Sequence, residues 1–160
     1  MTPIETVYEA FLAKINDDEW VYWSENDTKR DLKQIFDAAL PLFKFPKKDM
    51  TLESESITEN VEGEEVVYYN NNFVSDLSND EIQILACYMK CEWLNRSILT
   101  WERIKPQYEE RDFSEANMLD KLYSALESEQ REAKKREAIY YLAINRKPFV
   151  YTKLAGDKNG

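Results

Sequence analysis

A mainly α-helical fold, a small bundle of about four helices with one β-hairpin insertion, is what this sequence predicts, and three observations predict it. The 160 residues include only 3 glycines and 5 prolines, too few turn formers for a many-stranded sandwich or barrel. Hydrophobic residues make up 43% and aromatic residues 13%, too rich in core formers for a disordered chain and enough for one domain with a buried core. Apolar residues recur at helical spacing behind capping-box signatures at Thr2-Pro3-Ile4-Glu5 and Ser78-Asn79-Asp80-Glu81.

The first of these boxes places Pro3 at the first helical position, where its missing N–H costs nothing. Ile4, Val7, Tyr8, Phe11, Leu12 and Ile15 then form one apolar face, and Asn16-Asp17-Asp18 is expected to end the helix. Trp20-Val21-Tyr22-Trp23 is expected to plug the core beside it. Asn26 or Asp27 caps a second helix carrying Leu32, Ile35, Phe36, Ala39 and Leu40, limited by Pro41 and Pro46 with Phe43 and Phe45 between them.

From about residue 50 to 74 the pattern changes. Met50 to Asn60 and Glu65 to Phe73 are rich in Thr, Val, Ile and Tyr and flank a turn near Gly63, which reads as a β-hairpin. Its first strand carries only Leu52 and Ile57 as large apolar residues, on opposite faces. The hairpin is therefore expected to stay out of the core and project into solvent or onto a neighbour.

The second capping box starts the strongest helix, expected to run to about Lys105 before Pro106. Its apolar residues cover most of its circumference, the pattern of a helix buried in the middle of a domain or assembly. Phe113-Ser114 starts a last helix to about Asn145, with Ala116, Leu119, Leu122, Tyr123 and Leu126 on its first apolar face. Residues 127–137 are almost wholly polar, with Glu127–Arg131 and Glu132–Arg136 spaced to pair. Ile139, Tyr140, Leu142 and Ala143 then restore apolar character. A helix that is buried, then bare, then sticky is expected to leave its own domain and meet something else. Residues 1–147 thus form one helical domain and 148–160 a C-terminal arm. The apolar, β-prone run Phe149 to Leu154 either folds back on the domain or docks on a partner by adding a strand to a foreign sheet edge.

Charge is unevenly placed. Between Asp49 and Met89 there is no basic residue, yet there are ten acids, among them Glu53, Glu55, Glu59, Glu62, Glu64 and Glu65. Removing these ten from the chain's 31 acids leaves 21 against 21 bases, so the net charge of −10 resides in one segment. Such a chain lacks the basic footprint of non-specific nucleic-acid binding. The segment reads as a solvated acidic face or, more sharply, as the wall of a passage along which DNA slides without sticking.

Several chemistries are excluded. With no histidine, Ser-His and Cys-His nucleophile systems and His-ligated metal sites are impossible, and glycines at 63, 156 and 160 alone make no phosphate loop. Cys87 and Cys91, one helical turn apart, supply half a zinc site at most and read as core residues of a reduced protein. The acids match no Ca²⁺-loop spacing. The four tryptophans sit in no basic groove and read as core or interface residues rather than base-stacking platforms. No apolar run is long enough to cross a bilayer, and MTPIETVYEAFLAK has no basic n-region or cleavage signature, so neither membrane nor signal peptide is expected. What remains is a protein that works by binding other proteins.

The stretch DLSNDEIQILACYMKCEWLNRSILTWERIKPQYEERDFSEANMLDKLYSAL, Asp76 to Leu126, with the later YTKLAGD and the opening TPIETVYEAFLAKINDDEW, resembles the small helical head–tail connector, or neck adaptor, proteins of tailed bacteriophages. The resemblance is one of overall pattern and covers most of the chain outside the hairpin. It implies a helical bundle assembled as a homo-oligomeric ring, commonly a dodecamer, beneath the portal protein and above a downstream neck or tail protein. It implies a virion component, present in the host cytoplasm during assembly, through which DNA passes without specific binding and without any membrane. In such connectors the C-terminal arm often docks on the portal, a role that would fall here on Phe149, Val150, Tyr151 and Leu154. An inserted hairpin often lies near the channel or the next ring, a role that would fall on Glu59, Glu62, Gly63, Glu64 and Glu65. No catalytic residue, metal or cofactor is expected. Two other readings stay open: another phage morphogenesis protein, such as a tail-completion protein or assembly chaperone, and a carboxylate-dependent metal-binding hydrolase.

Overall fold

The computed structural model describes residues 1–16, 19–104 and 113–145. The fold is mainly α, with four helices and a small antiparallel sheet. In chain order the elements are β1 (Thr2–Pro3), α1 (Ile4–Leu12), α2 (Glu25–Ala39), a 3₁₀ turn (Leu40–Leu42), β2 (Leu52–Val61), β3 (Glu64–Phe73), α3 (Asn79–Ile104) and α4 (Phe113–Asn145).

Thr2 and Pro3 do not form the expected capping box. They pair with Phe73 and Asn72 as a third, short strand, giving the sheet order β1-β3-β2. The Thr2 hydroxyl accepts the Leu77 N–H at 2.8 Å, so it satisfies a donor 75 residues away rather than one in its own helix. Helix α1 buries Ile4, Val7, Tyr8 and Phe11 as its spacing requires. It stops at Leu12, short of Asn16, because the next N–H groups reach back only three residues, Lys14 to Phe11 and Ile15 to Leu12.

Ser24, not Asn26 or Asp27, caps α2: its Oγ accepts the Asp27 N–H at 3.1 Å. Leu32, Ile35, Phe36 and Ala39 face the core, and Phe43 follows them in beyond the turn that contains Pro41. Of the expected aromatic plug only Trp20 is buried, edge-on to Phe11 at 6.1 Å; Val21, Tyr22 and Trp23 are exposed.

The hairpin is present, with β2 and β3 in register from Leu52↔Phe73 to Val61↔Glu64. Its foot corrects the expectation that it stays outside the core. Phe73 is fully buried, edge-on to Phe36 at 5.8 Å, and Leu52 packs beside it. Burying a phenylalanine contributes about 1.5–3 kcal/mol, enough to anchor the ribbon. The rest of the ribbon is largely exposed.

The Ser78 capping box is realised in both directions: Ser78 N–H donates to Glu81 at 2.7 Å and Glu81 N–H donates to Ser78 Oγ at 3.3 Å. Helix α3 then buries six consecutive residues, Ile84 to Met89. Such a run is covered on every side, with α1 and α2 packing on one flank and α4 on another.

Helix α4 spans the expected range but does not leave the domain. It lies along α3, burying Leu119, Ala133 and Tyr140, and Glu129 pairs with Lys90 of α3 at 3.1 Å. The small Ala133, within a run that looks wholly polar, is what lets the two helices approach. Among the described residues no helix is long and apolar enough to cross a membrane.

Candidate interaction surface

The five hairpin residues singled out from the sequence converge at one tip. Glu62 and Gly63 are its two turn residues, with φ of 54° and 91°. Positive φ at both central positions is the signature of the type I′ turn, whose twist matches that of the flanking strands. Glu64 opposes Val61, Glu65 opposes Asn60 and Glu59 opposes Val66. Four carboxylates thus crowd one exposed turn, and among the described residues none of them has an ion-pair or side-chain hydrogen-bond partner. Phe149, Val150, Tyr151 and Leu154 lie outside the described residues.

Strand alternation sorts the ribbon's charges. In β2, Glu53, Glu55 and Glu59 share one face with Ile57 and Val61, while Ser54, Ser56 and Thr58 share the other. The second face also carries Val67 and Tyr69, the tyrosine 63% exposed. One side of the ribbon is acidic and the other is almost free of charge.

A second surface was only half seen in the sequence: the apolar Ile139 and Leu142 were expected to meet something else, but not the cations beside them. The outer face of α4 carries Arg131, Lys134, Lys135, Ala138, Ile139 and Leu142, which fall within one arc of a helix. Ile139 and Leu142 are 58% and 59% exposed. Arg131 holds only Glu127, at 3.5 Å with both side chains in solvent, while Glu132–Arg136 closes at 3.0 Å. Such exposed pairs contribute little. Lys134 and Lys135 have no partner among the described residues. A helical wheel over 127–142 carries this signal, but the predominance of polar residues in the run hides it.

Two further clusters lie within the helical domain. The Asp31 carboxylate accepts Arg96 Nη1 at 2.6 Å, Arg96 Nη2 at 3.0 Å and Trp20 Nε1 at 2.8 Å, tying α2, α3 and the α1–α2 loop together. Burial raises its pKa, but the hydrogen bonds from Arg96 and Trp20 together outweigh that and hold it below the ordinary aspartate value. Cys87 and Cys91 are buried and unpaired with each other. Burial pushes their thiols up to about 11 and about 12. Neither is a nucleophile at neutral pH. No group of three or more Cys, Asp or Glu among the described residues is arranged to hold a metal ion.

Comparison with protein-family models, with curated proteins and with solved structures gives no match. The reading of function therefore rests on the chain's own residues.

Proposed function

We propose that this chain is a non-enzymatic assembly protein that works by binding other protein chains, and that its role is that of a head–tail connector in a tailed-phage particle. The observation that supports it is large apolar surface left in solvent by a chain whose own core is already filled. Tyr22, Phe45, Val21, Tyr69, Leu142, Ile139 and Leu99 are each more than half exposed while Phe11, Phe36, Phe73 and Met89 are fully buried. Single exposed apolar residues are ordinary; adjacent ones, as in Val21-Tyr22 and Ile139/Leu142, mark contact surfaces. The absence of histidine and of a glycine-rich phosphate loop narrows the chemistry open to a catalytic reading.

In this reading copies assemble into a ring through helix faces, the acidic ribbon faces the channel or the next ring, and Phe149, Val150, Tyr151 and Leu154 dock on the portal. An acidic lining suits passage of a polyanion, since contact without cations releases no counterions. Mixing the full chain with portal rings and imaging the product by cryo-electron microscopy tests it. A closed ring beneath the portal supports the reading. A chain that stays unbound, or that is absent from purified particles, overturns it, the latter in favour of an assembly chaperone.

A further inference from the structure

The hairpin tip and the outer face of α4 are complementary in charge, and they belong to different elements of one chain. The tip carries Glu59, Glu62, Glu64 and Glu65 beside exposed Val61 and Val67. The α4 strip carries Arg131, Lys134 and Lys135 beside exposed Ile139 and Leu142, with one carboxylate, Glu127, among them. The tip presents four carboxylates with one exposed valine on each face of the ribbon, and the strip presents three cations and one carboxylate beside two exposed apolar side chains; among the described residues the tip carboxylates, Lys134 and Lys135 have no partner.

The ribbon is rooted on β1 and α1, whereas α4 packs along α3. A contact between two such different patches is either reciprocal, tip to strip twice over in a two-fold pair, or heterologous, with each copy offering its tip to one neighbour and its strip to the other. The heterologous form closes a ring where its rotation divides a full turn, which is the form that the connector reading requires. A second copy is also the partner that supplies both patches in equal number.

We infer that the acidic tip of the β2–β3 hairpin, residues 59–65, docks on the Arg131–Lys135–Leu142 strip of α4 in a second copy of this chain. The inference rests on the assembly reading above and names the contact between neighbours. Attraction between the patches steers the copies together and fixes their register, and the apolar residues on both sides hold the contact.

Sedimentation velocity of the full chain at low and high salt, with two charge-reversed variants, tests it. One carries Glu64→Lys with Glu65→Lys, the other Lys134→Glu with Lys135→Glu; circular dichroism establishes that each keeps the helical content of the parent. The expected result is self-association of the parent at low salt that weakens at high salt. Each variant alone associates at least about tenfold more weakly. An equimolar mixture of the two variants regains association, because each then meets an opposite charge on the other. If either variant misfolds, glutamine replacements at the same four positions give the loss of association without charge reversal. A parent that stays monomeric at low salt overturns the inference, as do variants that associate like the parent or a mixture that regains nothing. Portal binding retained by variants whose self-association is unchanged would overturn this contact alone and leave the connector reading standing.

Discussion

The Tyr140 hydroxyl donates a 2.7 Å hydrogen bond to Glu81, a carboxylate only 1% exposed and 59 residues away in the sequence. The same hydroxyl accepts the Lys47 N–H at 2.8 Å, and the Lys47 ammonium lies 4.9 Å from the centre of its ring. One side chain of α4 thereby joins the N-cap of α3 to the segment leading into the hairpin. Glu81 is the N3 member of the Ser78 capping box, so its other oxygen is already committed to Ser78 N–H. Every partner of this buried carboxylate is thus specified.

Tyr140→Phe tests how much that junction holds. The ring, its edge contact with Phe43 at 5.5 Å and most of the packing stay, while Glu81 and Lys47 N–H each lose a partner. A buried acceptor stripped of its donor costs about 1–3 kcal/mol. Urea denaturation is expected to show a loss of that size with an unchanged slope. A loss below about 0.5 kcal/mol, the scatter of ordinary surface changes, would mean that the hydroxyl contributes nothing to the seam.

Asp31 makes stability depend on acid. Its folded-state pKa lies below the unfolded value, held there against burial by Arg96 and Trp20. The stabilisation is therefore complete above the unfolded aspartate value of about 3.9 and is lost as pH falls through the lower folded value. Asp31→Asn is expected to cost about 1–2 kcal/mol at pH 7, the range for charge-assisted hydrogen bonds partly open to solvent. It should also flatten the fall in melting temperature below about pH 4 relative to the parent. Parallel acid profiles for the two proteins would sink the assignment.

The difference between what could be read along the chain and what could not follows from the reach of the interactions. The Ser78 box, the α3 boundaries and the hairpin turn rest on residues within four positions of one another, and they stand where their patterns put them. The Thr2 box has the same letters, but its hydroxyl is claimed by Leu77 N–H and its backbone by β3, neither of which is local. Ala133 could not be told from its polar neighbours until α3 lay against it. Phe73 likewise reads as the end of an exposed strand until Phe36 covers it. At the interaction surface the tip was legible because turn chemistry is local. Of the α4 strip only the apolar end, Ile139 and Leu142, was legible; that Arg131, Lys134 and Lys135 share its arc was not, because which arc of a helix faces outward depends on what packs on the other.

The buried thiols give a chemical test of how firmly α3 is enclosed. Burial pushes Cys87 up to about 11 and Cys91 up to about 12, and both are no more than 2% exposed. Thiolate is the reactive form, so at pH 8 the folded chain should be almost inert to a thiol-specific reagent. In denaturant both should react at the rate of a free cysteine, whose pKa is about 8.5. Fast labelling of either in the native protein would show that α4 lifts from α3 far more readily than global unfolding allows.

The turn at the hairpin tip offers the cleanest separation of strain from packing. A methyl group placed at Gly63 would meet nothing within 4 Å, so Gly63→Ala introduces no clash. Its φ of 91° is nonetheless a conformation that residues with a Cβ avoid, and the penalty is the backbone's alone. Glu62, at φ 54°, already bears a milder form of that penalty and adds a carboxylate to a crowded tip. Asparagine tolerates that region and is favoured at this position of a type I′ turn. Glu62→Asn should therefore tighten the hairpin and Gly63→Ala loosen it, each by about 0.5–1.5 kcal/mol. Amide hydrogen exchange along Thr58–Val67 reads the two effects directly, as slower and faster exchange, while Ile84 to Met89 at the centre of α3 should be unaffected. Protection that moves in the same direction for both variants would mean that the tip is not a type I′ turn.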